Sequence, residues 1–282
     1  MKNNRALAFI VITIVYIIAT IVGIVSYNLL GFHFAINLLI ADVIATVVVF
    51  IFSLLFKNAS VYDPYWSVQP LVIVIGFSIN ASFNLPRILA LITVVLWGIR
   101  LTLNWAYTFN GITHQDWRYT MLKEKTGVFY PIVNFLGIHL FPTLVVYLCV
   151  LPVAYLFKYN VVNEYFSIIF FITSVFAWVM QGIADIQMQK YRKERLTPFI
   201  RTGLWKYSRH PNYLGEILMW WSVSLLVLVT LQNHWFLFIG ALVNNLMFMF
   251  VSIPMAEKRQ MKLKEGFLEY KKGTRMLLPI KK

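Results

Sequence analysis

Cysteine is nearly absent from this chain: the single one, Cys149, lies inside an apolar run. One thiol excludes an intrachain disulfide and any cysteine-based metal cluster. Charge is scarce as well, at 13% of residues, where ordinary domains carry about 25%. Acids are scarcer still, 11 against 25 Lys and Arg. The five histidines (His33, His114, His139, His210 and His234) never fall three or four residues apart, so no metal site is expected. No Gly-rich phosphate loop and no G-x-G-x-x-G run is present, so any nucleotide is not held in a Rossmann fold. No Ser-His-Asp ordering stands out, which argues against a hydrolase. A net charge of +14 would suggest nucleic acid in a soluble protein. Here the positive-inside rule and anionic lipid headgroups explain it, and no nucleic-acid partner is expected.

Apolar residue is what the chain has in abundance, 60% of 282 positions. It comes in runs of about 17–25, the length that spans a bilayer as helix. Alternating barrel-strand patterns are missing, and only helices or closed barrels cross lipid. The expected fold is an all-α multi-pass transmembrane helical bundle, a single integral membrane domain over 1–282. Eight spans are expected, near 6–30, 35–56, 67–83, 87–108, 131–157, 164–188, 213–231 and 234–255, with the third short and weakly apolar. The run Ala6 to Leu30 is too long for a signal-peptide core and reads as the first span. Of the Lys and Arg residues, only Arg87 and Lys158 fall at outer ends when both termini are cytoplasmic. That asymmetry predicts an even number of spans with both ends inside. The Lys, Asn and Ile richness points to a bacterium, hence its cytoplasmic membrane.

Polar residues inside or beside spans are expensive and mark function. Asp42 sits in the second span, near its outer end. The stretch Tyr62-Asp63-Pro64-Tyr65 reads as a capped helix start, with Pro64 in the first turn and Asp63 as cap, or as a carboxylate aimed at a substrate. In the fourth span Arg100 calls for a partner such as Asp63 or Asp116. The sixth span ends with Gln181, Asp185 and Gln189 at four-residue spacing and Arg192 beyond them, one polar stripe on an apolar helix. It leads to the segment from Arg201 to Glu216, which places Asn212 and Glu216 one helical turn apart. Asp185, Arg192, Arg209, His210, Asn212, Tyr213, Glu216 and Arg259 therefore gather at the inner face. Arginines suit phosphates; carboxylates and an amide suit ribose and carboxamide groups. The tail after residue 257 reads as an amphipathic surface helix or as a segment folded back over the site.

Gly203-Leu204-Trp205, followed after three residues by Arg209-His210-Pro211-Asn212-Tyr213-Leu214-Gly215-Glu216, resembles the signature of the steroid 5α-reductase and sterol reductase superfamily. The whole chain resembles more closely its bacterial branch known as DUF1295. Trp97-Gly98-Ile99-Arg100-Leu101, Asp116-Trp117-Arg118-Tyr119 and the closing Tyr270 to Pro279 belong to the same likeness, which covers about residues 60–282. The resemblance implies a membrane-embedded reductase in which NADPH occupies a cytosol-facing cavity formed by the C-terminal half, residues 181–282. It would give hydride to a conjugated C=C bond of a lipid or steroid-like substrate entering from the bilayer. Gln181, Asp185, Arg192, Tyr207, Asn212, Glu216 and Arg259 then match cofactor-binding positions, beside Arg209, His210 and Tyr213. The acid and tyrosine that polarise the substrate in the steroid enzymes fall on Asp63 and Trp97. Trp97 offers an N–H donor and is no proton acid, which counts against steroid enones.

Two other readings remain. Membrane methyltransferases of the isoprenylcysteine carboxyl type carry a similar Arg-His-Pro motif and an acidic, tyrosine-bearing tail, which Glu257 and Tyr270 would supply; they bind S-adenosylmethionine. A non-enzymatic lipid-binding membrane protein would need no nucleotide.

Overall fold

The first helix, α1 (Arg5–Leu29), shows what solvent this chain is built for. Asn4 caps it, its side-chain oxygen accepting from the amides of Ala6 and Leu7 at 3.0 and 3.2 Å. One face, Ala8, Ile12, Val15, Tyr16 and Ala19, is buried. The other, Ile10, Ile14, Ile17, Ile21 and Ile24, is about half exposed. A helix apolar on both faces makes sense only where its outer face meets lipid.

The computed structural model describes residues 4–279. Helix accounts for 80% of the chain, and no strand occurs among the described residues. After α1 come α2 (Phe34–Leu55), α3 (Tyr65–Ser78), α4 (Leu85–Thr108) and α5 (Trp117–Thr126). Next, α6 (Tyr130–Val133) runs through a π-helical stretch, Asn134–Leu140, into α7 (Phe141–Lys158). The rest are α8 (Ser167–Glu194), α9 (Pro211–Thr230), α10 (Ile239–Met247), α11 (Ile253–Leu263) and α12 (Phe267–Gly273). Among the described residues, seven helical segments are long and apolar enough to cross a membrane: Arg5–Leu29, Phe34–Leu55, Leu85–Thr108, Trp117–Lys158, Glu164–Glu194, Pro211–Thr230 and Trp235–Leu263. Each matches an expected span within a few residues, except that Trp117–Lys158 begins well before the expected 131, and Glu164–Glu194 and Trp235–Leu263 run past the expected 188 and 255.

The expected span at 67–83 is the exception. It forms α3, a helix of 14 residues. At 1.5 Å per residue this reaches about 21 Å, short of the roughly 30 Å hydrocarbon core. Asp63 does not cap it either. Pro64 holds the cap position without a side-chain bond, because the Asp63 carboxylate is taken by Tyr119.

The chain divides into two compact units, Met1–Ala81 with Trp97–Ala154, and Ser82–Leu96 with Tyr155–Lys282. Of the three boundaries, one lies in the loop between α3 and α4 and the other two fall inside continuous helices, α4 and α7. In the first unit the buried face of α1 packs with Ala45 and Val49 of α2 and with Tyr62, Tyr65 and Phe109. Tyr16 donates to the Val61 carbonyl at 2.6 Å. Gly98 lets α4 pass α3, since a methyl there would sit 2.9 Å from the Ser67 carbonyl oxygen.

In the second unit Trp178 donates to the Leu96 carbonyl at 3.0 Å. Arg87 is buried but fully used: it binds the carbonyls of Leu156, Ser82 and Tyr159 at 2.9, 2.7 and 3.0 Å. Helices α8 and α9 meet at Gly215, where a methyl would sit 2.9 Å from the Ala177 carbonyl oxygen. That close approach sets the height at which polar side chains of the two helices face each other.

Candidate functional site

One turn after the close contact on α8, and one residue after it on α9, stand Gln181 and Glu216. Both are buried, at 1% and 5% exposure. Gln181 Nε2 donates to Glu216 Oε2 at 2.9 Å. Trp220, one turn further along α9, donates from Nε1 to Glu216 Oε1 at 3.0 Å. Each carboxylate oxygen thus holds a fixed N–H donor. The bond to Glu216 also fixes the Gln181 amide, because only its nitrogen can donate. Its Oε1 is then left buried with no hydrogen-bond partner. One turn before Glu216, Asn212 Oδ1 is likewise buried and unpartnered. Buried acceptors left open are rare, and each costs about 1–3 kcal/mol unless something fills it.

Asp185 follows Gln181 by one turn on the same face of α8 and is half-buried. Arg192, near the end of α8, is exposed, as are Tyr207 and Arg259. The sequence stripe is therefore real: its buried end meets Glu216 and its charged end reaches solvent. The turn that brings α9 beside α8 depends on Gly203. Its φ of +59° suits glycine, and the Gln187 side chain occupies the space a Cβ would need. Gln187 Oε1 accepts from the Leu204 amide at 3.0 Å, and Trp205 Nε1 donates to the Ala184 carbonyl at 3.3 Å. Pro211 then opens α9 in the first turn, where its missing N–H does no harm.

Arg209 and His210 belong to a second assembly. Arg209 Nε donates to Glu257 Oε1 at 2.7 Å, and His210 Nε2 lies 3.1 Å from the same oxygen. Lys271 Nζ reaches Glu257 Oε2 at 2.8 Å. Arg209 also donates to the carbonyls of Lys271, at 3.1 Å, and Thr274. Its own amide donates to the Arg275 carbonyl at 3.0 Å, and Tyr270 donates to the Trp205 carbonyl. The His210 ring stacks on Tyr213, centroids 5.2 Å apart, and Tyr213 packs on Phe248. The tail thus folds back along the Arg209 segment instead of lying free. Sequence reasoning set Arg209 and His210 beside the other cofactor candidates. The structure turns both toward Glu257, whose role, with those of Lys271 and Trp220, the sequence site omitted. Trp220 was findable, four residues after Glu216. The Glu257 contact joins residues 48 apart and carries no local signal.

Asp63 and Trp97 belong to the first unit. Trp97 is fully buried, with the Trp66 ring edge-on at 6.2 Å. Tyr119 donates a short hydrogen bond to Asp63. Arg118 pairs instead with Asp116, at 2.8 Å. Burial pushes the Asp63 carboxyl up to about 6, against the lowering pull of the Arg118 charge and the Tyr119 hydroxyl. An acid raised on folding binds its proton more tightly in the native state. Its contribution is complete below pH ~4 and is lost as pH rises through about 6. Thermal unfolding in detergent is therefore expected to show wild-type stability declining across that window. Asp63→Asn should flatten the decline; an unchanged profile would show that Asp63 does not titrate there.

A helical protein with seven membrane-length segments and a buried amide–carboxylate pair between two of them defines the class. Residues 49–274 match the family described as protein of unknown function, DUF1295, and the chain belongs to that family. The match begins earlier than the expected residue 60 and takes in the end of α2. The chain is also similar to an uncharacterized protein of Schizosaccharomyces pombe, 27% identical over 214 residues. That likeness covers 64% of this chain and 62% of the yeast protein, so the chain spans less than two thirds of its relative. No solved structure matches.

Proposed function

We propose that the protein is a membrane-embedded, NADPH-dependent reductase of a conjugated C=C bond in a lipid or steroid-like substrate. We place it in a cytoplasmic membrane with both termini inside, α3 serving as a short eighth crossing. One observation carries the reading: two unfilled buried acceptors, Gln181 Oε1 and Asn212 Oδ1, flank the anchored carboxylate of Glu216. Two acceptors beside a fixed anion suit a carboxamide NH2, the donor group of nicotinamide. When bound, the cofactor would supply hydride. The chain's own residues do the rest. Glu216 holds Gln181 and Trp220 in place, Gln181 and Asn212 orient the amide, and the exposed guanidiniums of Arg192 and Arg259 offer phosphate contacts. Arg209 and His210 act at one remove, by tying the tail to the start of α9. The resemblance assigns Asp63 and Trp97 to the substrate's electron-withdrawing end.

The methyltransferase reading draws on Glu257 and Tyr270, and both are taken up by contacts within the chain. Thermal-shift titration of the detergent-purified protein separates the readings. NADPH is expected to stabilise it saturably, by about 2.7 kcal/mol at a hundredfold excess over Kd, and S-adenosylmethionine to do nothing. Stabilisation by S-adenosylmethionine, or by neither nucleotide, would overturn the reductase.

A further inference from the structure

We infer that Asn244 is a third recognition residue of the Gln181–Glu216 site, an assignment that rests on the reductase reading above: its amide donates to the carbonyl oxygen of the nicotinamide carboxamide. Asn244 lies inside α10 and is 4% exposed. An asparagine at membrane depth ordinarily bonds to a neighbouring helix. The Asn244 Nδ2 is buried and bonds nothing.

Two ring contacts fix where that donor stands. Tyr213 of α9 packs on Phe248, centroids 4.7 Å apart. Trp221, two turns further along α9, lies parallel to Phe238 at 6.4 Å. Residue numbers therefore rise on α9 as they fall along α10, and the two helices are antiparallel. Phe248 is level with Tyr213. Asn244, one turn earlier on α10, is then level with Glu216 and Ile217, one turn later on α9. It also faces the right way. Ala241, Asn244 and Phe248 are buried together, at the spacings of three and four that share one helix face. The helix packed against α10 is α9. On α9 itself, Gly215 faces α8 and Tyr213 faces the α10 side. At about 3.6 residues per turn, Asn212 and Glu216 fall in the shorter arc between those two directions. Gln181, from α8, and Asn244, from α10, thus flank the same polar stripe of α9.

Two open acceptors and one open donor select the ligand. Gln181 Oε1 and Asn212 Oδ1 can each take an N–H, and Asn244 Nδ2 can give one. A primary carboxamide supplies two N–H groups and one carbonyl oxygen, which matches all three. A carboxylate in its place would offer the two acceptors nothing and would set its charge against Glu216. A methyl ketone would satisfy Asn244 alone. Gln181 and Asn212 read the amide nitrogen, and Asn244 reads the oxygen.

Isothermal titration of the full chain in detergent tests this with NADP+, its thionicotinamide analogue and 2′-phospho-ADP-ribose, which lacks the nicotinamide ring. Sulfur accepts hydrogen bonds poorly, so wild type is expected to bind the thio analogue about tenfold more weakly than NADP+. Asn244→Leu should lower NADP+ affinity about tenfold, bind both dinucleotides equally, and hold 2′-phospho-ADP-ribose as wild type does. Equal binding of the two dinucleotides by wild type would overturn the assignment without any variant, so a variant that fails to fold leaves the test decisive. Undiminished NADP+ affinity in Asn244→Leu, or loss of 2′-phospho-ADP-ribose as well, would also overturn it. The reductase reading would survive those results, with Asn244 serving a buried water or helix packing alone. Wild type that binds none of the probes would instead defeat the nucleotide reading, and this assignment with it.

Discussion

Glu257→Ala is expected to be among the most destabilising single changes in this chain, at about 3–5 kcal/mol, the range for breaking a buried ion pair from one side. Glu257 is the common acceptor of Arg209, His210 and Lys271. Arg209 is only 9% exposed, so removing the carboxylate strands a guanidinium away from water. The loss should be largely specific to that stranding. Arg209→Met in the same protein should recover part of it, because a pair replaced by apolar groups is far less damaging than a pair cut in half. Unfolding of single and double variants in detergent makes the comparison. A Glu257→Ala protein as stable as wild type would show that the tail is held by its backbone contacts alone.

Glu216→Ala is expected to abolish saturable NADPH binding. It would also weaken the fold, since Gln181 Nε2 and Trp220 Nε1 would each lose their acceptor at about 1–3 kcal/mol. The conservative variant divides those two effects. Glu216→Gln keeps one oxygen for one donor and should fold with a smaller loss. It releases the Gln181 amide from its fixed orientation, and nucleotide affinity should fall at least tenfold. Isothermal titration on the folded Gln variant decides the matter: undiminished affinity would mean that the buried trio merely joins two helices.

The helices were legible because lipid imposes length. Seven runs such as Arg5–Leu29 and Pro211–Thr230 are readable without any partner. α3 ends short of the expected 83 because Asn80 and Ser82 break the apolar run and the helix stops at Ser78; hydropathy averaged over a window measures solvent preference and not helical continuity. The polar face of α8 was readable from four-residue spacing, and so was the Asn212–Glu216 pair. What periodicity cannot supply is the partner across the gap. Nothing local says that the Gln181 amide donates a hydrogen bond to Glu216, or that Arg209 turns from the cofactor candidates to Glu257. Those pairings come from the close pass at Gly215 and from the fold-back of the tail, both long-range packing events.

The Arg209–Lys271 contact has a consequence for biogenesis. The two residues lie 62 positions apart, with α9, α10 and α11 between them. At synthesis rates of about 5–20 residues per second, Arg209 leaves the ribosome roughly 3–12 seconds before Lys271. Its carboxylate partner Glu257 follows it by 48 residues, and until then the nascent chain holds a guanidinium destined for the interior but still unneutralised. Insertion of α9 and α10 must therefore precede closure around Arg209, and the carbonyls of Lys271 and Thr274 complete its shell only after the charge is paired.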